Sequence, residues 1–278
     1  VVTQYKADPR FQNLQPKTKK AWAPWLDRII DDFGNVSIAN FDRPQKIRPL
    51  IRQWRNKWSD RPRTADVAMQ VLSRVLSYAV EIGKLAGNPC EGIERLYKAD
   101  RSGLIWTDAD LAEIKKFCSA EIVQAIDLAA HTGLRLGDLV RLCWSHVHED
   151  RIEITTNKSK HKQEAIIPLY DALRDVLSRI PKRSPVILTN SLGRPWASAD
   201  ALGNSFTAAK ANCPAQKHLH FHDLRGTAAT RFYVAGLPER VIAEILGWEE
   251  TSVAKIIRKY VDRSAAVKAI IRQLNESK

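Results

Sequence analysis

Apolar residues return every three or four positions through residues 64–82, so that Val67, Val71, Val75, Tyr78 and Ile82 line one face of a helix. A half-buried strand would alternate instead, and this stretch does not. The same spacing runs through residues 14–33, with Trp22, Trp25, Leu26, Ile29, Ile30 and Phe33, and Gly34 ends it. A third stretch, "RPQKIRPLIRQWRNKWSDRPR" at residues 43–63, sets Ile47, Ile51, Trp54 and Trp58 on one face with Arg48, Arg52 and Arg55 beside them. A chain that opens with three such stripes must pack helix on helix. Thr64 is the expected cap of the 64–82 helix, and Gly83, Gly87 and the Asn88-Pro89 pair are its expected end.

The remaining length allows a second domain. "KADRSGL", residues 98–104, is polar and contains glycine, and reads as the linker between domains 1–99 and 104–278. Thr107 with Asp110 three residues on has the form of a capping box. Helices are expected at 107–118 and 120–131, then a turn and helix through "HTGLRLGDLVRLCW". "RIEIT" and "EAIIPL" read as two strands joined across "TNKSKHKQ". A helix from Leu169 to Ile180, a short strand "PVILT" and further helices complete the chain. The fold class is mainly α with a small antiparallel sheet (α+β).

Lys and Arg outnumber Asp and Glu by 44 to 31, a formal net charge of +13 that both halves share. Such an excess selects a polyanion as partner, nucleic acid before others. Residues 43–63 hold eight basic residues and one acidic one, which makes Arg48, Arg52, Arg55 and Lys57 candidates for phosphate contact. No apolar run is long enough to span a bilayer and the first thirty residues are charged throughout, so a cytoplasmic protein without membrane contact is expected. Cys90, Cys118, Cys143 and Cys213 are widely spaced, as expected of reduced thiols. The chain starts at Val1 and its one methionine is Met69, so upstream sequence is expected.

In "HLHFHDLRGTAATRF", residues 218–232, three histidines alternate, with Cys213 just upstream. A zinc site is the lesser reading, because no second ligand cluster accompanies it, and no metal is expected. Arg135 after "TG", Lys158 between the two strands, His222 and Arg225 in "HDLR", and Tyr260 in "IIRKYVD" suggest another chemistry. Arginine forks hold non-bridging phosphate oxygens, a lysine protonates a leaving oxygen, and a tyrosine attacks phosphorus and keeps it covalently.

The order "HTGLRLGDL", hairpin lysine, "HDLR", "LGW" and tyrosine resembles the tyrosine recombinase family, the phage-type integrases. The resemblance runs through the whole second domain. It extends to the first hundred residues, through "KTKKAW", the basic helix and "GKLAGNPCEGI", as that family's helical core-binding domain. It implies that Arg135 and Arg225 are the two catalytic arginines, with Asp138 the acidic residue one turn after the first. Lys158 is the implied general acid, with Lys160 and Lys162 as close competitors and DNA contacts. His222 is the implied histidine of the H-x-x-R pair, Trp248 stands where most members carry histidine and some tryptophan, and Tyr260 is the implied nucleophile. The stretch from Trp248 to Tyr260 is about one helical turn (~3–4 residues) longer than the family's. An indole N–H can donate to a phosphate oxygen but cannot accept a proton.

The resemblance further implies a C-shaped clamp on double-stranded DNA attachment sites and site-specific recombination through a 3′-phosphotyrosine, with integration or excision of a mobile element. Neither ATP, metal nor other cofactor is implied. The implied protein is a monomer in solution and a homo-tetramer on DNA, associated with the nucleoid of a bacterium or acting for a phage. The segment "SAAVKAIIRQLNESK", amphipathic through Ala266, Val267, Ile270, Ile271 and Leu274, is the implied helix donated to a neighbouring protomer. Three rivals remain: type IB topoisomerase-like DNA relaxation, a recombinase-fold DNA-binding protein with little catalysis, and a metal-dependent nuclease built on the histidines.

Overall fold

A computed structural model describes residues 1–98, 104–156, 164–213, 218–246, 267 and 271. The chain divides into two compact units, Val1–Asp100 and Arg101–Lys278.

The first unit is helical. Two short helices, α1 (Val2–Ala7) and α2 (Pro9–Gln12), lead into α3 (Pro16–Phe33), α4 (Pro44–Asn56) and α5 (Pro62–Glu81). The last four all begin with proline at the first helical position. There the missing N–H would have had no intrahelical partner, and the ring presets φ for the first turn. This corrects the expected start of the 64–82 helix. Pro62 opens α5 two residues before Thr64, with Arg61 at the cap position and no side-chain cap bond.

The apolar stripes meet as the spacing requires. Leu26, Ile51, Val71 and Ala68 are fully enclosed, and Trp25 and Trp54 nearly so. Trp58 follows the end of α4 yet stays in this core, edge-on to Trp25 at 4.9 Å and to Trp54 at 5.2 Å. Burying each aliphatic side chain contributes about 1.5–3 kcal/mol. Ile30 and Ile82, at the edges of their stripes, remain 41% and 39% exposed.

In the second unit, α6 (Asp108–Lys115) and α7 (Ala120–Thr132) precede a short α8 (Leu136–Leu139). The strands β1 (Arg151–Thr155) and β2 (Glu164–Pro168) pair antiparallel, with Ile154 opposite Ala165 and Thr155 opposite Glu164. Ile152, Ile154, Ala165 and Ile167 face inward, alternating with exposed or half-buried neighbours. Then follow α9 (Asp171–Ser178), α10 (Ala199–Ala211), α11 (Leu224–Val234) and α12 (Glu239–Leu246). Helix α11 packs on α7, and α12 on β2.

"PVILT" does not form a third strand among the described residues. Ile187 donates to Leu142 O and Trp144 to Pro185 O, which makes one bridge, Cys143 to Val186. The bridge goes no further because residues Trp144–His146 coil into a 3-10 turn.

The capping box at Thr107 is present. Asp110 N donates to Thr107 Oγ1 at 3.1 Å, and Thr107 N to Asp110 Oδ2 at 3.0 Å. Replacing Thr107 with Ala should lower the unfolding free energy of the second unit by about 1 kcal/mol, read as a shifted urea midpoint at constant slope.

Candidate active site

The site is built where three distant segments meet one side chain. Helix α7 ends at Gly133, whose φ of +64° is left-handed and favours glycine. A Cβ at Gly133 would also collide with Leu246 and press on Ala228. The turn it makes delivers Arg135 to the N-cap of α8. Arg225, in the first turn of α11, is 5% exposed. Its Nη1 donates to Gly133 O at 2.5 Å and its Nη2 to Leu246 O at 3.3 Å. One guanidinium thus ties the turn that bears Arg135 to the end of α12, two residues before Trp248.

Arg135 Nη1 is shielded from solvent and has no hydrogen-bond partner among the described residues. A buried donor left unmade costs about 1–3 kcal/mol, more when charged. An anion is the complement that removes this cost. Asp138, on α8 and 2% exposed, pairs with Arg141 Nη2 at 2.8 Å. The same nitrogen donates to Thr155 O at 3.3 Å, which fixes the end of β1.

The histidine segment behaves as an extended stretch. His218, His220 and His222 are exposed, whereas Leu219 and Phe221 are buried. The segment is held from several sides. Lys210 Nζ donates to Leu219 O at 2.5 Å, Trp106 Nε1 to His220 O at 2.9 Å, and His220 N to Asp223 Oδ2 at 2.7 Å. Thr227, one turn along α11, accepts from Trp106 N at 2.9 Å and donates to Trp106 O at 3.1 Å. The start of the second unit is therefore sewn to the helix that carries Arg225. Among the described residues no group of three or more His, Cys, Asp or Glu is placed to hold a metal ion.

Lys158, Lys160, Lys162, Trp248 and Tyr260 lie outside the described residues. Arg135, Asp138, His222 and Arg225 are described, and Gly133 connects the first to the last. Sequence reasoning missed Trp106, Arg141, Lys210 and Thr227. Arg141 lies three residues after Asp138, a helical spacing that carried a signal, whereas Trp106 and Thr227 meet across 121 residues and carried none.

The basic face of α4 differs from the sequence reading. Arg55 is 6% exposed, and its Nη1 donates to Glu94 O at 2.9 Å. Arg48 Nη2 donates to Glu91 O. Lys57 pairs with Asp32 at 2.7 Å, beside Trp54 Nε1, which donates to the same carboxylate at 2.8 Å. The Lys57 hydrogen bond holds the Asp32 carboxyl below its ordinary range, aided by Trp54. Arg55 is thus not a groove-facing cation, because the helix turns it toward the segment after α5. Arg52 stays exposed.

Just before Gly133, His131 Nδ1 lies 2.8 Å from Tyr170 Oη, which also donates to His131 O at 3.2 Å. Burial first, and then the Arg231 charge, push His131 down to about 4, while Asp127 opposes them and Lys115 and Arg179 add to them. Burial raises Tyr170 to about 12. Burial also raises the thiols, Cys118 to about 11 and Cys90 to about 12, which makes them poor nucleophiles.

The Phage integrase family pattern matches residues 93–266. A tyrosine recombinase XerC-like protein of Caldanaerobacter subterraneus subsp. tengcongensis is 24% identical over 238 residues, which cover 68% of this chain and 60% of that relative. The integrase of Escherichia phage HK022 is 25% identical over 285 residues, 88% of this chain and 76% of that protein. Among solved structures, lambda integrase bound to DNA superposes with a TM-score of 0.73 at 18% identity, over 94% of this chain and 95% of that one. The Tn1549 transposon integrase in complex with transposon right end DNA gives 0.71 at 16%, over 99% and 98%. A lambda integrase tetramer bound to a Holliday junction gives 0.69 at 19%, over 89% and 76%. At these identities the structural likeness establishes the tyrosine recombinase fold. The family match spans well over half the sequence, and the chain belongs to the phage integrase family. It spans 60% of the length of the first relative named. No described helix is long and apolar enough to cross a membrane.

The lowered His131 value sets a pH dependence. The folded ring is neutral down to about 4, while the unfolded one takes a proton near the ordinary 6.5. Between those values the unfolded state binds more protons, so stability rises with pH across this window and is lost on acidification. Urea midpoints measured from pH 7 to pH 4 should fall, and His131→Gln should fall less over the same range.

Proposed function

We propose that this chain is a tyrosine-type site-specific DNA recombinase that cleaves and rejoins strands through a 3′-phosphotyrosine, and that it integrates or excises a mobile element. The observation that carries this reading is the Arg225 guanidinium held between Gly133 O and Leu246 O. It ties the turn that bears Arg135 to Leu246 of α12, and Arg135 Nη1 has no partner among the described residues. A shielded guanidinium nitrogen without a partner, on a turn held by a second arginine, calls for an anionic partner, as a phosphodiester is and more so during displacement.

In this mechanism Tyr260 Oη attacks phosphorus and the bond from phosphorus to O5′ breaks. Lys158, between β1 and β2 in sequence, gives its proton to O5′, with Lys160 and Lys162 as alternatives. Arg135, Arg225, His222 and the Trp248 indole N–H hold the non-bridging oxygens, and Asp138 positions the Arg135 turn through Arg141 and the hairpin foot. A 5′ hydroxyl from a partner strand then attacks the phosphotyrosine and releases Tyr260. The phosphodiester energy stays in the covalent link, so strand exchange needs no external energy source.

The partner is double-stranded DNA at attachment sites. Domains 1–99 and 104–278 serve as the core-binding and catalytic parts of a clamp, with the exposed Arg52 of α4 toward phosphates. A tetramer is the active assembly, formed from monomers on DNA. The relatives of phage and bacterial origin support action in a bacterial cytoplasm, at the nucleoid. Val267 and Ile271, one helical turn apart and 56% and 52% exposed, support the reading that the terminal helix packs on a neighbouring protomer.

Two measurements test the site. Nicked duplexes with randomised sequence, incubated with protein in chelator and then denatured, should yield DNA linked to Tyr260, and Tyr260→Phe should yield none while still retarding duplex in a gel. Arg135→Ala should slow adduct formation by about 10²–10³-fold with little change in melting temperature, since it removes no described bond. Arg225→Ala should slow the reaction and also lower the melting temperature, because it strands two carbonyls that its guanidinium now satisfies.

A further inference from the structure

The first unit spends unusual effort on a segment with no regular structure. Residues 88–97 follow α5 and lie across α4 and α5 as a strap. Asn88 Nδ2 donates to Ser73 O at 2.9 Å and to Ser77 Oγ at 2.9 Å on α5, and its Oδ1 accepts from Cys90 N at 2.9 Å. Arg48 and Arg55 of α4 reach over to Glu91 O and Glu94 O. Asp66 of α5 takes the next two backbone donors, Leu96 N at 2.9 Å and Tyr97 N at 3.0 Å. Arg63 stacks 5.5 Å from the Tyr97 ring centre. Gly92 has φ of +73°, which lets the strap bend beside Arg48. A cleft of about 930 Å³ opens between strap and α4, with Arg52 and Arg95 on its two walls.

This arrangement is costly for a loop. It uses two of the arginines of the most basic helix, which could otherwise have met phosphate, and buries one of them. The anchors instead fix the last residues before the segment that joins the two units. They do so with hydrogen bonds, which set direction as well as position.

We infer that Arg55 and Asp66 are positioning residues for strand cleavage. By clamping residues 94–97 against α4 and α5, they fix the point and direction in which the chain leaves the Val1–Asp100 unit. Cleavage of DNA held by that unit then depends on the strap keeping this one conformation. This rests on the recombinase reading above. Helix α4 then has two roles, because Arg52 faces outward for phosphate whereas Arg55 acts through the backbone of Glu94.

The test uses the full chain and four variants: Arg55→Met, Arg55→Lys, Asp66→Ala and Asp66→Asn. Trypsin cleavage after Arg95, timed by mass spectrometry against cleavage elsewhere in the chain, reports whether the strap is clamped. Adduct yield per bound duplex, on a sequence recovered with wild-type protein, reports cleavage separately from binding. Arg55→Met and Asp66→Ala should speed cleavage after Arg95 and lower the adduct rate about tenfold to a hundredfold with duplex binding retained. Arg55→Lys, which keeps a donor for Glu94 O, should recover most of the rate, and Asp66→Asn, which keeps one of two acceptors, should fall between. A faster cut after Arg95 with an unchanged adduct rate per bound duplex would overturn the inference and leave the recombinase reading standing. A wild-type protein that forms no adduct on any recovered sequence would overturn that reading, and the inference with it.

Discussion

The catalytic unit depends on a buried guanidinium between two backbone carbonyls. Arg225 joins the end of α7, through Gly133, to the end of α12, through Leu246. A charge taken out of water is expensive unless its donors are matched. Here the match is made by the carbonyl of Gly133, which caps α7, and by that of Leu246 on α12. The two carbonyls hold the arginine in one orientation. Arg135 is carried on the same turn, so its position follows from that of Arg225. Gly133 makes the arrangement possible, because a side chain there would displace Leu246.

Around this centre the polar side chains act mostly on backbone. Lys210, Trp106 and Asp223 each satisfy a backbone group of the histidine segment, in which His218, His220 and His222 are exposed. Arg141 joins Asp138 to Thr155, so the acidic residue acts on the hairpin foot through another side chain. The first unit follows the same logic, with Asn88, Arg48, Arg55 and Asp66 all spent on the strap. A chain of net charge +13 therefore does not present every cation to a polyanion. Part of its positive charge is internal framework.

Much of this was legible in the sequence, for stated reasons. Helical stripes depend on near-neighbour spacing, so α3, α4 and α5 could be read directly. The two strands were visible from alternation, and the Thr107–Asp110 cap from its three-residue interval. Thr64 was misjudged as a cap because Pro62, two residues earlier, is a stronger helix start. "PVILT" was misjudged as a strand because its would-be partner turns into a 3-10 coil after one bridge. The arginines of α4 show the limit most clearly: Arg52 and Arg55 are equally basic on paper, yet one is exposed and the other buried.

The sequence alone determined the helical class, the two-strand hairpin and the ordered set of arginines, histidine and tyrosine that marks the family. Each of these rests on residue type and local interval, which a linear chain displays. Only the tertiary structure decided which cations are exposed and which are structural, because that depends on carbonyls distant in sequence, 39 residues from Arg55 to Glu94 and 92 from Arg225 to Gly133. Such pairings have no local period and leave no trace until the chain is folded.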